Sequence, residues 1–191
     1  MTNDDETKMK DEVHATFATR HSSLVVGLGN PILGDDGVGW RVAEQVQRQL
    51  EISGPPYPVA EEGSGMGDRP VDVDCVSLGG IGLMEQLIGY DRAILIDALV
   101  TGKAPVGTVT CFALEELTDL SAGHTSSAHD TSLQTALKLG RAMGAHVPDQ
   151  VTVIAVEARN VSDFSEELSP PVAAAVPLAV EAVMNLLHAS D

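Results

Sequence analysis

A chain of 191 residues has room for one well-buried domain and little for a second. Hydrophobic residues make up 43% of it but aromatics only 3%, so the core must be built from Val, Leu, Ile and Ala. The formal charge of −17 repels nucleic acid and anionic lipid, and no basic patch offsets it, which argues against both as partners.

Residues 1–21 are polar and charged with no apolar h-region, so they do not read as a secretory signal. With little apolar surface to bury, they are expected to form a disordered tail, leaving 22–191 as a single α/β domain. No apolar run approaches the length of about 20 residues that crosses a bilayer. A cytoplasmic monomer without membrane contact is therefore expected. Cys75 and Cys111 lie far apart and outside any C-x-x-C pair, and are read as buried small hydrophobes in a reducing cytosol.

The pattern then alternates. An apolar run predicts a strand over 23–28, and a helix is predicted over 38–51. Gly54-Pro55-Pro56 and Gly63-Ser64-Gly65 mark a loop before a strand near 71–77. Residues 80–89 read as a short helix with Leu83, Leu87 and Ile88 on one side. Ala93-Ile94-Leu95-Ile96 is a fully apolar strand ending at Asp97, the kind buried on both faces in parallel sheets. Residues 107–113 alternate and suit an edge or antiparallel strand. A helix over 130–144 would turn Leu133, Leu137 and Met143 inward. Residues 151–156 form another buried strand, and Ser169 caps a C-terminal helix with Pro170 at its first position. Pro177 should kink that helix or delay its start. The sum is a three-layer α/β/α sandwich with a mostly parallel five-stranded sheet.

Candidate chemistry sits at the strand-to-helix junctions, where doubly wound sheets keep their sites. Asp35-Asp36 follow the first strand in LVVGLGNPILGDDGVG, residues 24–39. Asp97 closes the most apolar strand, and His129 precedes the helix at 130. If these junctions share one rim, two carboxylates and one imidazole converge with positions left open, a donor set suited to several divalent ions. Either Asp35 or Asp36 can instead cap the following helix. Two adjacent carboxylates repel, so one of them needs a donor or cation nearby; Asp36 is taken as the ligand and Asp35 as the supporting residue. Asp97, buried and unpaired, would be costly, which favours a functional partner. Gly27-Leu28-Gly29 opens like a dinucleotide fingerprint, but position 32 is Ile, so the glycines are read as turn formers. Asn30 can cap its loop or position a substrate backbone. His124, His146 and His188 have no ligand-like spacing. There is no G-x-S-x-G elbow and no cysteine beside a histidine base, so serine and cysteine hydrolase chemistry lacks support.

The run Gly29-Asn30-Pro31-Ile32-Leu33-Gly34-Asp35-Asp36-Gly37-Val38-Gly39 resembles the N-terminal signature of the nickel–iron hydrogenase maturation endopeptidases. Asp97, His129 and Glu167-Leu168-Ser169-Pro170 extend the resemblance over about residues 23–188. It implies a five-stranded twisted sheet between helices, and removal of a C-terminal peptide from a hydrogenase large-subunit precursor after nickel insertion. It further implies that nickel, carried by the substrate, is bridged by Asp36, Asp97 and His129. Asn30, Asp35, Gly79 and Gly80 are the candidate substrate-binding positions. In place of the family's Asp-Gly-Gly-Thr turn, this chain has Leu78-Gly79-Gly80-Ile81 after Ser77, a departure that bears on substrate subtype. Ligands without a nucleophile–base pair point to metal-dependent hydrolysis with no acyl-enzyme. Two other readings use the same residues: a receiver-like magnesium-binding signalling domain, and a nickel-binding chaperone that cleaves nothing.

Overall fold

The central strands are apolar on both faces because helices cover both faces of the sheet. The computed structural model describes residues 23–53, 71–117 and 128–189, with the backbone alone over 128–132. The strands are β1 (Ser23–Leu28), β2 (Val71–Val76), β3 (Arg92–Leu99), β4 (Val109–Ala113) and β5 (Gln150–Glu157). They lie in the order β2-β1-β3-β5-β4, parallel except for β4, which runs antiparallel to β5 at the edge. Among the described residues, four α-helices, α1 (Val38–Ser53), α2 (Gly80–Gln86), α3 (Ala128–Ala142) and α4 (Pro170–His188), complete the expected three-layer sandwich.

Alternation along β1 builds two cores. Leu24, Val26 and Leu28 pack with Leu83, Leu87, Leu133 and Leu137 on the α2/α3 face. Val25 packs with Val38, Val42 and Val46 of α1 and with Val172, Val176 and Val183 of α4 on the other. Ile94, Leu95 and Ile96 are fully buried, each contributing about 1.5–3 kcal/mol through removal of its side chain from water. The centre of the sheet is thus the rigid base on which the strand ends are held.

Several expectations are corrected. β3 continues two residues beyond Asp97, to Leu99, because it pairs with β5 along its whole length. Ile88 and Met143 are exposed, not inward. α2 stops at Gln86 and α3 at Ala142, and the left-handed Gly89 and Gly144 reverse the chain just beyond, swinging both side chains out. Pro177 neither delays α4 nor divides it, since the helix runs unbroken from Pro170 to His188. That helix is also long and apolar enough to cross a membrane by length and composition, with 19 residues and a mean hydropathy of 1.5, which corrects the bilayer count made above. Glu181 is its only acidic residue, and none is Lys or Arg. In the fold its apolar stripe lies against α1 and β5. The tail over 1–21, the Gly54-Pro55-Pro56 and Gly63-Ser64-Gly65 loop, and His124 lie outside the described residues.

Candidate active site

Glycines bring α1 directly onto the sheet. A Cβ on Gly39 would sit 2.3 Å from the Leu28 carbonyl oxygen and 2.4 Å from that of Ile96, so helix and strands touch backbone to backbone. The connection between β1 and α1 must therefore fold tightly, and it does so through a left-handed Gly29 (φ 109°) and a 3-10 turn over Gly34–Gly37. A Cβ at Gly29 would lie 1.9 Å from the Asp36 carbonyl oxygen.

Inside this loop Asn30 performs local work. Its backbone N–H donates to Asp36 Oδ2 at 2.7 Å, and its Oδ1 accepts from Ile32 N at 3.2 Å. Asn30 also lines the cavity described next. Asp35 is almost completely buried, 1% exposed, and both its oxygens face Ser169: Oδ1 accepts from the backbone N–H at 2.7 Å, Oδ2 from Oγ at 3.0 Å. Asp35 N donates to the Asn160 carbonyl at 3.0 Å, and Leu33 bridges to Ser165. The acidic loop is therefore stitched to the segment joining β5 to α4. Asp35 does not line the cavity, and its contacts are those of a support for the loop.

Asp36 and Asp97 line one cavity of about 310 Å³ at the C-terminal ends of β1, β2 and β3. Asp97 is buried, and its Oδ1 accepts from the following Ala98 N–H at 2.9 Å. Apolar walls come from Leu78, Val100 and Val161, and Ser77 adds a hydroxyl. Oxygen donors on one side of a mostly apolar pocket suit a divalent ion whose other positions are filled from elsewhere. His129 falls at the second residue of α3, and its side chain is outside the described residues. Among the described residues no three His, Cys, Asp or Glu side chains cluster as a metal site.

Gly79 and Gly80 open α2, with Gly80 left-handed at φ 55°, and neither lines the cavity. The same turn contributes Ser77 and Leu78 instead. Sequence reasoning missed these two, and also Val100 and Val161; the position just after a strand end was the available signal for Ser77 and Val100. Of the remaining histidines, His146 pairs with Asp91 at 2.8 Å and His188 hydrogen-bonds the Met184 carbonyl, both away from the cavity. The cysteines are free but not buried as expected. Cys111 is exposed on the edge strand β4, and Cys75 is half-buried. Burial, with Glu44 and Asp74 nearby, pushes the Cys75 thiol up to about 11, the opposite of an activated nucleophile.

A mostly parallel sheet with two carboxylates lining a cavity at the C-terminal ends of its strands has the layout of an α/β enzyme. The hydrogenase maturation protease family model matches residues 69–186. The hydrogenase expression/formation protein HupD of Rhizobium leguminosarum bv. viciae is 27% identical over 165 residues, 86% of this chain and 73% of that protein. The hydrogenase 2 maturation protease of Escherichia coli is 26% identical over 167 residues, covering 87% and 91%. Among solved structures, the hydrogenase maturating endopeptidase HybD of E. coli superposes with a TM-score of 0.64 at 25% identity, over 88% of this chain and 93% of that one. The [NiFe] hydrogenase maturation protease HybD of Thermococcus kodakarensis gives 0.60 at 26% identity, over 87% and 99%. The chain belongs to the hydrogenase maturation protease family, and its activity is that of an endopeptidase.

Proposed function

We propose that this enzyme removes a C-terminal peptide from a hydrogenase large-subunit precursor that already holds nickel, and that the nickel is read by Asp36, Asp97 and His129. The observation that carries this reading is the shared cavity: one carboxylate from the 3-10 turn after β1 and one from β3 open onto a single space of about 310 Å³. The family supplies the substrate class, since its named relatives act in hydrogenase maturation. The donor set fits, because carboxylate and imidazole are borderline-to-hard ligands that a divalent nickel ion accepts.

When present in the precursor, the ion anchors the scissile segment and can polarise its carbonyl or acidify water. The chain's own residues supply the rest. The Asn30 N–H holds one Asp36 oxygen and the Ala98 N–H holds one Asp97 oxygen, so each carboxylate keeps a fixed direction. Leu78, Val100 and Val161 give the cavity apolar walls. Anchoring converts attack into an effectively intramolecular event, an effect that can reach about 7 kcal/mol or more when geometry is good.

The test is processing of nickel-loaded and nickel-free precursor in vitro, read by mass spectrometry. Cleavage of the loaded form alone is expected; equal cleavage of both would end the nickel-recognition idea. Asp36→Asn, Asp97→Asn and His129→Ala should each abolish processing while far-UV circular dichroism is unchanged, and a fully active variant would remove that residue from the site. A receiver-like signalling domain is disfavoured by family membership and by the antiparallel β4, since the flavodoxin-like order of such domains is wholly parallel. A nickel-binding chaperone would bind the precursor without changing its mass.

A further inference from the structure

The Gly29–Asn30 peptide is held from both sides. Its carbonyl accepts a hydrogen bond from Ser77 Oγ at 2.6 Å, and its N–H donates to Asp36 Oδ2 at 2.7 Å. The two groups belong to one planar unit and point in opposite directions, so fixing the carbonyl fixes the N–H. Gly29 sits at φ 109°, a backbone conformation that glycine adopts at little steric cost. Ser77 comes from a different part of the sheet, the residue following β2, and itself lines the cavity.

We propose that Ser77 is a positioning residue for Asp36, acting through the Gly29–Asn30 peptide. The hydroxyl clamps the peptide plane and polarises the amide, and the strengthened N–H then locks the Asp36 carboxylate in the direction that faces the cavity. Chains of hydrogen bonds strengthen one another by roughly 10–30% per bond, so the serine matters more than a lone exposed hydroxyl would. The arrangement also ties the β2–α2 turn, which carries Leu78, to the acidic loop. The inference rests on the proposed role of Asp36 in cleavage, but the clamp itself is a structural statement and can be tested apart from it.

The experiment compares Ser77→Ala and Ser77→Thr in the full chain. Ser77 is exposed, so neither substitution opens a core cavity, and both melting temperatures should stay close to the wild-type value. The first readout is the Asn30 amide proton in ¹H–¹⁵N spectra: it should move upfield in Ser77→Ala and stay in place in Ser77→Thr. The second is precursor cleavage: kcat should fall about tenfold in Ser77→Ala with KM little changed, as expected for a misdirected catalytic group, and Ser77→Thr should restore it to within about twofold. An unmoved Asn30 amide overturns the clamp. A moved amide with unchanged kcat, or a threonine variant as impaired as the alanine one, overturns the positioning role. If the wild-type chain cleaves no precursor, the functional reading fails instead, and the amide shift still decides whether the clamp exists.

Discussion

Replacing Asp35 by alanine should loosen the last helix more than it touches chemistry. The carboxylate is 1% exposed and receives two hydrogen bonds from Ser169, the residue that precedes α4. Bonds to a charged acceptor contribute about 1.5–3 kcal/mol each, and their loss leaves a half-buried N–H and hydroxyl without this acceptor. A negative charge at the start of α4 also complements the helix dipole, adding a few tenths of a kcal/mol or more. The expected loss is about 3–5 kcal/mol, which for a domain of this size lowers the melting temperature by on the order of 10 °C. Ser169→Ala removes only the Oγ bond and should lose about 1–2 kcal/mol. The two residues share one interaction, so the double variant should be less unstable than the sum of the singles by more than about 0.5 kcal/mol. Urea unfolding of the four proteins closes the cycle. A melting point for Asp35→Ala within 2 °C of wild type, or strict additivity, would refute the claim that this contact fastens the acidic loop to α4.

Gly39→Ala tests backbone contact against helix propensity. Alanine should gain about 1 kcal/mol on propensity alone, yet its Cβ would meet two carbonyl oxygens at 2.3 and 2.4 Å, so a net loss of about 3 kcal/mol is expected in urea unfolding, and stabilisation would contradict it. Glu157 is buried and accepts from Thr101 N, Thr101 Oγ1 and Gly102 N, holding the turn after β3 that carries Val100. Glu157→Ala should destabilise by about 3 kcal/mol and open that turn to limited proteolysis, whereas unchanged digestion would dismiss the anchor. Burial raises the Cys75 thiol to about 11, so its alkylation should be negligible at pH 8 and climb as the pH approaches that value. Cys111, also raised by burial but exposed, should label first, and equal rates at pH 8 would count against the assignment.

The acidic loop was legible in the sequence because its constraints are local. Gly27, Gly29 and Gly39 mark places where backbone meets backbone or φ turns positive, and no larger residue fits there. Asp97 was legible as a charge set against a fully apolar strand. The contacts of the segment over 158–169 were not. Asn160 and Ser165 draw no reading and Ser169 reads as a helix cap, whereas its hydroxyl donates to Asp35 and makes no cap bond; these contacts depend on which strands are neighbours, a long-range fact with no local signature. The alternation in 107–113 was legible, but which set faces inward was not: Phe112 is buried and Cys111 exposed, the reverse of a rule that treats cysteine as the buried residue. On an edge strand the large aromatic side chain has most to gain from burial, and it takes the inner face.

The neighbouring carboxylates at 35 and 36 look redundant in the sequence and are opposite in the structure. A 3-10 turn rotates successive side chains by about 120°, so two adjacent residues cannot face the same way. Residue 35 turns inward to Ser169, and residue 36 turns toward the cavity and the Asn30 N–H. The turn thereby answers the repulsion between like charges: each carboxylate has its own backbone donor, Ser169 N for one and Asn30 N for the other, and the two directions diverge. On the proposed role of Asp36, the pair divides two tasks, fastening and chemistry. Neutralising the first should appear as lost stability with cleavage retained at low temperature, and neutralising the second as lost cleavage with stability retained. A protein in which both changes produced the same phenotype would be one in which the turn does not separate them.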